Sequence, residues 1–365
     1  MQVFEAPPRI APSKGEQGEE RAMSTRRDFL NLSAAVTAAG ALARPALAQA
    51  PASGPGHPIP PSGGDALRLV TFMPEAGSAP RLGAVRPDGR VVDLSRLALP
   101  GFDPARMVSL IEAGPAALDA VRHAAASGDG PQVETVRLLA PIPAPSRNIY
   151  AVGWNYLEHF AEGQAVRGTH AEYPAHPVFF TKGVNTVNGP YDPIPFDPEV
   201  STAIDWEVEL AVIVGTGGRN IKEADAMGHV FGYSVINDTT ARDMQIKLHG
   251  GQWFKGKSLD GYGPVGPWIV PAADLDPDDL HLITRVNGVV KQDASTKQMY
   301  FKVARIIAEL SRGLTLVPGD IIATGTPPGI GNARKPPEFL KPGDVMETEI
   351  VGLGTLRNVI QAVPA

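Results

Sequence analysis

The stretch Asp205-Trp206-Glu207-Val208-Glu209-Leu210 sets a carboxylate at every second position. Side chains alternate along a strand, so Asp205, Glu207 and Glu209 would share one face, with Trp206, Val208 and Leu210 on the other. The chain runs on as Ala211-Val212-Ile213-Val214, apolar on both faces, which marks a strand buried on both sides. Buried carboxylates side by side repel one another and lose hydration, and they need a proton or a cation between them. A hard divalent cation with oxygen ligands meets that need. A half-solvated strand with a polar outer face is the competing reading, and on this segment alone the two stand level.

A further acid tips the balance. After the apolar run Val230-Phe231-Gly232-Tyr233-Ser234-Val235-Ile236 come Asn237-Asp238-Thr239-Thr240-Ala241-Arg242-Asp243-Met244-Gln245. On a helix Asp238, Arg242 and Gln245 fall at i, i+4 and i+7, on one face. An acid, a fixed cation and an amide aimed one way suit an anionic, oxygen-rich ligand. An N-cap aspartate with a surface arginine is the plainer alternative. His159 and Glu162 are three apart, where a carboxylate can fix the tautomer of an imidazole and raise its basicity for work on water. Such a pair is more often a solvated i, i+3 contact. Lys257 lies in Gly250-Gly251-Gln252-Trp253-Phe254-Lys255-Gly256-Lys257-Ser258, which lacks the spacing of a nucleotide loop but could set an ammonium on a substrate oxygen. Thr326 sits in the tight loop Ala323-Thr324-Gly325-Thr326-Pro327-Pro328-Gly329, whose amides could face a ligand. Flexible surface loops are the alternative for both.

The elements that must hold these residues are mostly strands. Periodicity predicts strands at 147–152, 178–181, 206–214, 230–236, 282–286, 320–324 and 346–351, and helices at 155–162, 222–228 and 298–312. Ahead of them, 67–72, 81–85 and 91–94 read as a small β unit around Pro87-Asp88-Gly89, and 104–126 as helical around Gly114-Pro115. Pro141, Pro143 and Pro145 punctuate the chain near 140. Strands dominate with scattered helices, so the expected class is α+β. The expected organisation is a small β-rich N-terminal domain over 65–140 and a larger domain over 141–365.

Composition narrows the function. A formal net charge of −6, with no dense Lys/Arg run after the N-terminal region, excludes a general nucleic-acid binder. There are no cysteines, which removes disulfides, thiolate metal sites and a Cys nucleophile together. Any metal must be held by oxygen or imidazole.

Taken in order, these segments resemble the fumarylacetoacetate hydrolase family. The matching pieces are Gly153-Trp154-Asn155-Tyr156…His159…Glu162, Phe179-Phe180-Thr181-Lys182, Asp205-Trp206-Glu207-Val208-Glu209-Leu210 and Asn237-Asp238…Ala241-Arg242-Asp243-Met244-Gln245. Gly256-Lys257-Ser258, Gly266-Pro267-Trp268, Val286-Asn287-Gly288 and Pro318-Gly319-Asp320…Thr324-Gly325-Thr326-Pro327 follow. The resemblance implies a mixed β-sandwich roll, a homodimer, and one Mg²⁺ or Mn²⁺ per subunit held by Glu207, Glu209 and Asp238. It implies a water-activating dyad of His159 and Glu162, with Lys257 beside it, and substrate contacts from Arg242, Gln245 and Thr326. Asp205 is not counted as a ligand. The fumarylacetoacetases carry a further metal-binding Asp before the dyad histidine; Ile149-Tyr150-Ala151-Val152-Gly153 has no acid, which points to the shorter, three-carboxylate branch.

The expected activity is therefore metal-dependent cleavage of a C–C bond in a β-diketo acid of acylpyruvate or fumarylpyruvate type. The alternative is a 2-oxo acid decarboxylase, isomerase or hydratase on the same site. An exported, non-catalytic 2-oxo acid binder is the reading of another class. Export enters through Ser24-Thr25-Arg26-Arg27-Asp28-Phe29-Leu30, which resembles a twin-arginine signal. An Ala-rich stretch and Ala46-Leu47-Ala48 complete it, so the expected mature chain starts at Gln49, passes through a linker to 64, and resides in the periplasm without stable membrane insertion. An unused signal would leave it cytoplasmic. Glu16, Glu19 and Glu20 do not suit a positive leader, which makes Met23 a candidate start.

Overall fold

Val208–Val214 forms a strand buried at every position, as its two-sided apolar pattern requires. It lies between Val230–Asn237 and Ile321–Ala323, both antiparallel to it. The computed structural model describes residues 64–168 and 170–364, and these fall within one compact unit. The expected export signal and all but the last residue of the linker lie outside them. No helix among the described residues is long and apolar enough to cross a membrane.

The larger sheet has 11 strands. Its main path runs Val91–Asp93, Arg81–Val85, Arg68–Met73, Gly263–Pro271, Val230–Asn237, Val208–Val214, Ile321–Ala323, Ile149–Gly153, Val178–Lys182. The β unit expected before residue 140 thus joins the sheet that carries the carboxylates, with Leu69 opposite Ile269. A second sheet of five strands runs Val289–Ser295, His281–Val286, Val345–Ile350, Gly354–Ala362, Ile194–Phe196. The class is α+β, as expected.

Alternation along Val208–Val214 sets the two packing layers. Val208, Leu210, Val212 and Val214 share a core with Leu282, Ile350 and Leu356 of the second sheet. Ala211 and Ile213 share another with Leu110, Ile111, Ala117 and Val121 of the helices Met107–Glu112 and Pro115–Ser127. Glu209 lies on that second face, beyond the point where the helices cover it. The last clear amphipathic element, Val303–Leu310, buries Val303, Ile306, Ile307 and Leu310.

Two expectations change. Gly263–Pro271 is a central strand, buried at all nine positions, where the periodicity predicts no strand. Its Pro264, Pro267 and Pro271 lack the amide a ladder uses, and the pairing with Val230–Asn237 is irregular between Tyr233 and Val235. Asp238 is not helical. Thr240 Oγ1 donates to the Asp238 carbonyl at 2.8 Å, Thr240–Ala241 pairs with Ile204–Asp205, and the helix begins only at Arg242.

Candidate active site

Strand register assembles the acids. Val208 pairs with Asn237 at the end of two neighbouring strands, so Glu207 and Glu209, either side of Val208, meet Asp238, the residue that follows Asn237. The Asp238 amide donates to the Glu207 carbonyl at 2.9 Å, and the Glu207 amide to Asn237 Oδ1 at 3.2 Å. One carboxylate oxygen from each of Glu207, Glu209 and Asp238 lies within 4.8 Å of the others, and all three residues are buried. This is the juxtaposition the alternation in the sequence anticipates.

Three cations surround them. Lys257 Nζ bridges Glu207 Oε2 and Asp238 Oδ2, each at 2.7 Å. Lys182 Nζ reaches Asp238 Oδ1 at 2.7 Å and the carbonyl of Lys257 at 2.6 Å. Arg242 lies 2.6 Å from Glu207 Oε1 and 2.7 Å from Asp205 Oδ2, and donates to Gln245 Oε1 at 3.0 Å. Burial pushes the Glu207 carboxyl up, but Lys257, Arg242 and His159 outweigh it and hold it down at about 2. Among the described residues Glu209 forms no ion pair; the Gly325 amide donates to its Oε2 at 2.7 Å, and Lys257 acts on it only through the weaker field. Burial, then Asp238 and Glu207, drive its carboxyl well above the usual range. Asp205, Glu207, Glu209 and Asp238 thus face Lys182, Arg242 and Lys257: four acids against three bases, one positive charge short when every acid is ionised. A divalent cation among oxygen ligands corrects that deficit and leaves a net positive site for an anionic substrate. The donor set fits a divalent metal ion.

His159 is buried and lines the same pocket as Glu207, Glu209, Lys257 and Thr326. It projects from the helix Leu157–Arg167, one turn before Glu162. The two do not hydrogen-bond: Nδ1 and Oε2 are 3.6 Å apart. Both Glu162 oxygens accept the Gly329 amide instead, at 2.9 and 3.2 Å, and His159 Nδ1 has no hydrogen-bond partner. Thr326 Oγ1 accepts from Gln292 Nε2 at 2.8 Å, while Gln292 Oε1 accepts the Val208 amide at 3.1 Å. Gln292 therefore ties the second sheet to both the carboxylate strand and the Thr326 loop. Gln245 is buried in the pocket wall beside Arg242.

Sequence reasoning leaves out Lys182 as a charge in the site, although a lysine closing the apolar strand Val178–Lys182 is the kind of residue that needs a buried partner. Asp205 also does more than flank. Its oxygens accept the amides of Gly331 at 2.7 Å and Asn332 at 2.9 Å besides holding Arg242, so it pins the loop that closes one wall. Gln292 carried no local signal, because its role depends on a sheet pairing far away in sequence.

A family model described as fumarylacetoacetate hydrolase, C-terminal, matches residues 148–361. The chain is 41% identical over 300 residues to the oxaloacetate tautomerase fahd2, mitochondrial, of Xenopus laevis, covering 80% of this chain and 90% of that protein. Among solved structures it is similar to the fumarylacetoacetate hydrolase from psychrophilic Exiguobacterium antarcticum, at 38% identity and a TM-score of 0.67 over 81% of this chain and 100% of the other. It is similar also to the maleylpyruvate hydrolase from Sphingobium sp. SYK-6 in complex with manganese(II) ion and pyruvate, at 30% identity and a TM-score of 0.65 over 81% and 100%.

Proposed function

Because this chain belongs to the fumarylacetoacetate hydrolase family, we propose that it is an enzyme that moves a proton at C3 of a 2-oxo acid, interconverting its keto and enol forms. The observation that carries this is the pairing of two features in one pocket. Glu209 is a buried carboxyl beside two further acids and in no ion pair, and His159 presents a ring nitrogen without a hydrogen-bond partner.

Glu207, Glu209 and Asp238 would hold Mg²⁺ or Mn²⁺, which supplies Lewis-acid polarisation of the 2-oxo oxygen. Lys257 and Arg242 set positive charge beside the substrate oxygens, on which negative charge grows as the C3–H bond breaks. His159 accepts the C3 proton, the electron pair of that bond shifts toward C2 and its oxygen, and the proton is then delivered to that oxygen. The reverse order makes the keto form. Glu162, one turn along the same helix, accepts the Gly329 amide rather than joining His159.

The relative of Xenopus laevis is named an oxaloacetate tautomerase, which supports this ordering of the readings. Hydrolysis of a β-diketo acid is the second reading, supported by the likeness to a maleylpyruvate hydrolase and by the 3.6 Å approach of His159 and Glu162, from which a small shift would make the dyad. Periplasmic export belongs to the same proposal, and finding the mature protein only in the cytoplasm would count against it.

One assay separates the readings. Oxaloacetate and acetylpyruvate are offered with Mg²⁺ or Mn²⁺, and with EDTA. The enol absorbance and any pyruvate released are followed together. Metal-dependent enol–keto interconversion with no pyruvate from acetylpyruvate is the expected result. Stoichiometric pyruvate and acetate would move hydrolysis to first place, and equal rates in EDTA would remove the metal from the account.

A further inference from the structure

The pocket has two unlike walls. One carries the carboxylates, Lys257, Arg242 and His159; the other is built from Trp154, Trp253, Phe180, Val166 and Ile246. Three of these are aromatic rings in edge-to-face contact. Trp154 and Trp253 have centroids 5.0 Å apart, and Trp253 and Phe180 5.3 Å. Phe180 meets the charged wall, with Lys257 Nζ 5.2 Å from its centroid. Trp253 thus touches both of the other rings, and Phe180 joins the cluster to the charged wall.

Two features show that this wall is built. Gly153 passes under Trp253 so closely that a Cβ there would lie 2.3 Å from the indole, a contact only glycine permits. Trp154 has φ of 56°, a left-handed conformation that a bulky residue adopts only when its surroundings enforce it. Its carbonyl accepts a hydrogen bond from the Tyr173 hydroxyl. Trp253 is also coupled to the charged wall through the backbone: the Lys257 amide donates to its carbonyl at 3.1 Å, so ring and ammonium are one turn apart.

Charge distribution says what the wall accepts. The permanent cations lining the pocket, Lys257 and Arg242, are both turned onto buried carboxylates. Among the described residues the aromatic wall itself contributes none. A second carboxylate placed there would lose its hydration without a counter-ion, whereas a hydrocarbon or aryl chain would lose only contact with water.

We propose that the Trp154–Trp253–Phe180 wall is a specificity subsite for the distal end of the substrate, and that this end, from C5 outward, is apolar: an alkyl or aryl chain rather than a second carboxylate. The inference rests on the 2-oxo acid reading of the charged wall. It separates longer substrates from oxaloacetate, whose second carboxylate is too near C3 to reach the rings.

The test is binding, read by calorimetry on the full chain loaded with Mn²⁺. The probes are 2-oxobutanoate, 2-oxohexanoate, phenylpyruvate and 2-oxohexanedioate, the last matching 2-oxohexanoate in length but ending in a carboxylate. The dissociation constant should fall about fourfold for each added methylene that reaches the rings. 2-Oxohexanoate should bind on the order of tenfold more tightly than 2-oxohexanedioate. Trp253→Ala should flatten the series. Trp253→Arg, which keeps bulk but adds a cation, should invert the preference between the two six-carbon acids, and this second variant covers any loosening of the Lys257 segment in the first. Equal binding of all four probes, or tighter binding of the diacid by the parent, would overturn the subsite while leaving the 2-oxo acid reading intact. Binding of none would overturn both.

Discussion

The carboxylate cluster and the helix that carries His159 differ in how firmly they are held. Lys182, Glu207, Glu209, Asp238 and Lys257 are all buried, at 4% exposure or less, and each has a charged or hydrogen-bonding partner from a different element. The helix Leu157–Arg167 packs loosely: Leu157 and Val166 are 49% and 43% exposed, and His159 Nδ1 stands unpartnered. Buried charges must be placed once and for all, since a misplaced one costs several kcal/mol. A proton-carrying group has to approach and leave its substrate, so its helix can be less constrained. Under the proposed mechanism the site divides into a fixed electrostatic frame and an adjustable acid–base arm.

The largest effect should come from breaking the frame. Asp238→Ala removes the carboxylate paired with Lys182 and one of the two that Lys257 bridges, and should lower stability by about 3–5 kcal/mol and abolish measurable turnover, read by denaturant unfolding and kcat/KM. A variant that unfolds like the parent would mean the frame is not held by its ion pairs. Breaking the arm should hurt rate alone. His159→Ala should cut kcat by about 10²–10⁴-fold while stability stays within about 0.5 kcal/mol of the parent.

Glu209 sharpens the contrast through pH. Its folded-state carboxyl is raised above its unfolded value by burial and by Asp238 and Glu207. In the metal-free protein its contribution to stability is therefore full below the unfolded carboxyl range and is lost as pH rises through the raised folded value. Glu209→Gln should raise the Tm of metal-free protein at pH 7 and remove the Tm gain produced by Mn²⁺. Metal binding to the parent should release a proton at pH values below the raised one, seen as a buffer-dependent heat in calorimetry. A Tm lowered by the substitution would show that Glu209 is already stabilised as an anion. The smallest effect belongs to Glu162→Gln. Its oxygens are engaged by the Gly329 amide rather than His159, so kcat should fall by less than about tenfold. A loss matching His159→Ala would restore the dyad as a working unit and favour hydrolysis.

The frame was more legible in the sequence than the arm. Alternating acids on an apolar strand announce a shared face, and Asp238 at the end of the next apolar run announces its neighbour. What strand alternation does not carry is pairing at a distance. Lys182 and Gln292 enter through strands far from Glu207 in sequence, and Gly263–Pro271 hides a central strand behind three prolines. The helical spacing weighed for Asp238, Arg242 and Gln245 does not apply at Asp238, because Thr239 and Thr240 hold that segment extended, Thr239 through Asn237 Oδ1 and Thr240 through the Asp238 carbonyl. The His159–Glu162 spacing was visible, but spacing alone does not reveal that a backbone amide competes for the carboxylate.

The most direct test of the central claim follows deuterium rather than product. 2-Oxobutanoate in D₂O is incubated with the enzyme and Mn²⁺, with EDTA in place of the metal, and with His159→Ala and Mn²⁺. The C3 protons are then counted by NMR after the metal is removed. The account predicts exchange at C3 only when both the cation and His159 are present. Exchange that persists in EDTA or in His159→Ala, or no exchange in the intact metal-loaded enzyme, would contradict it.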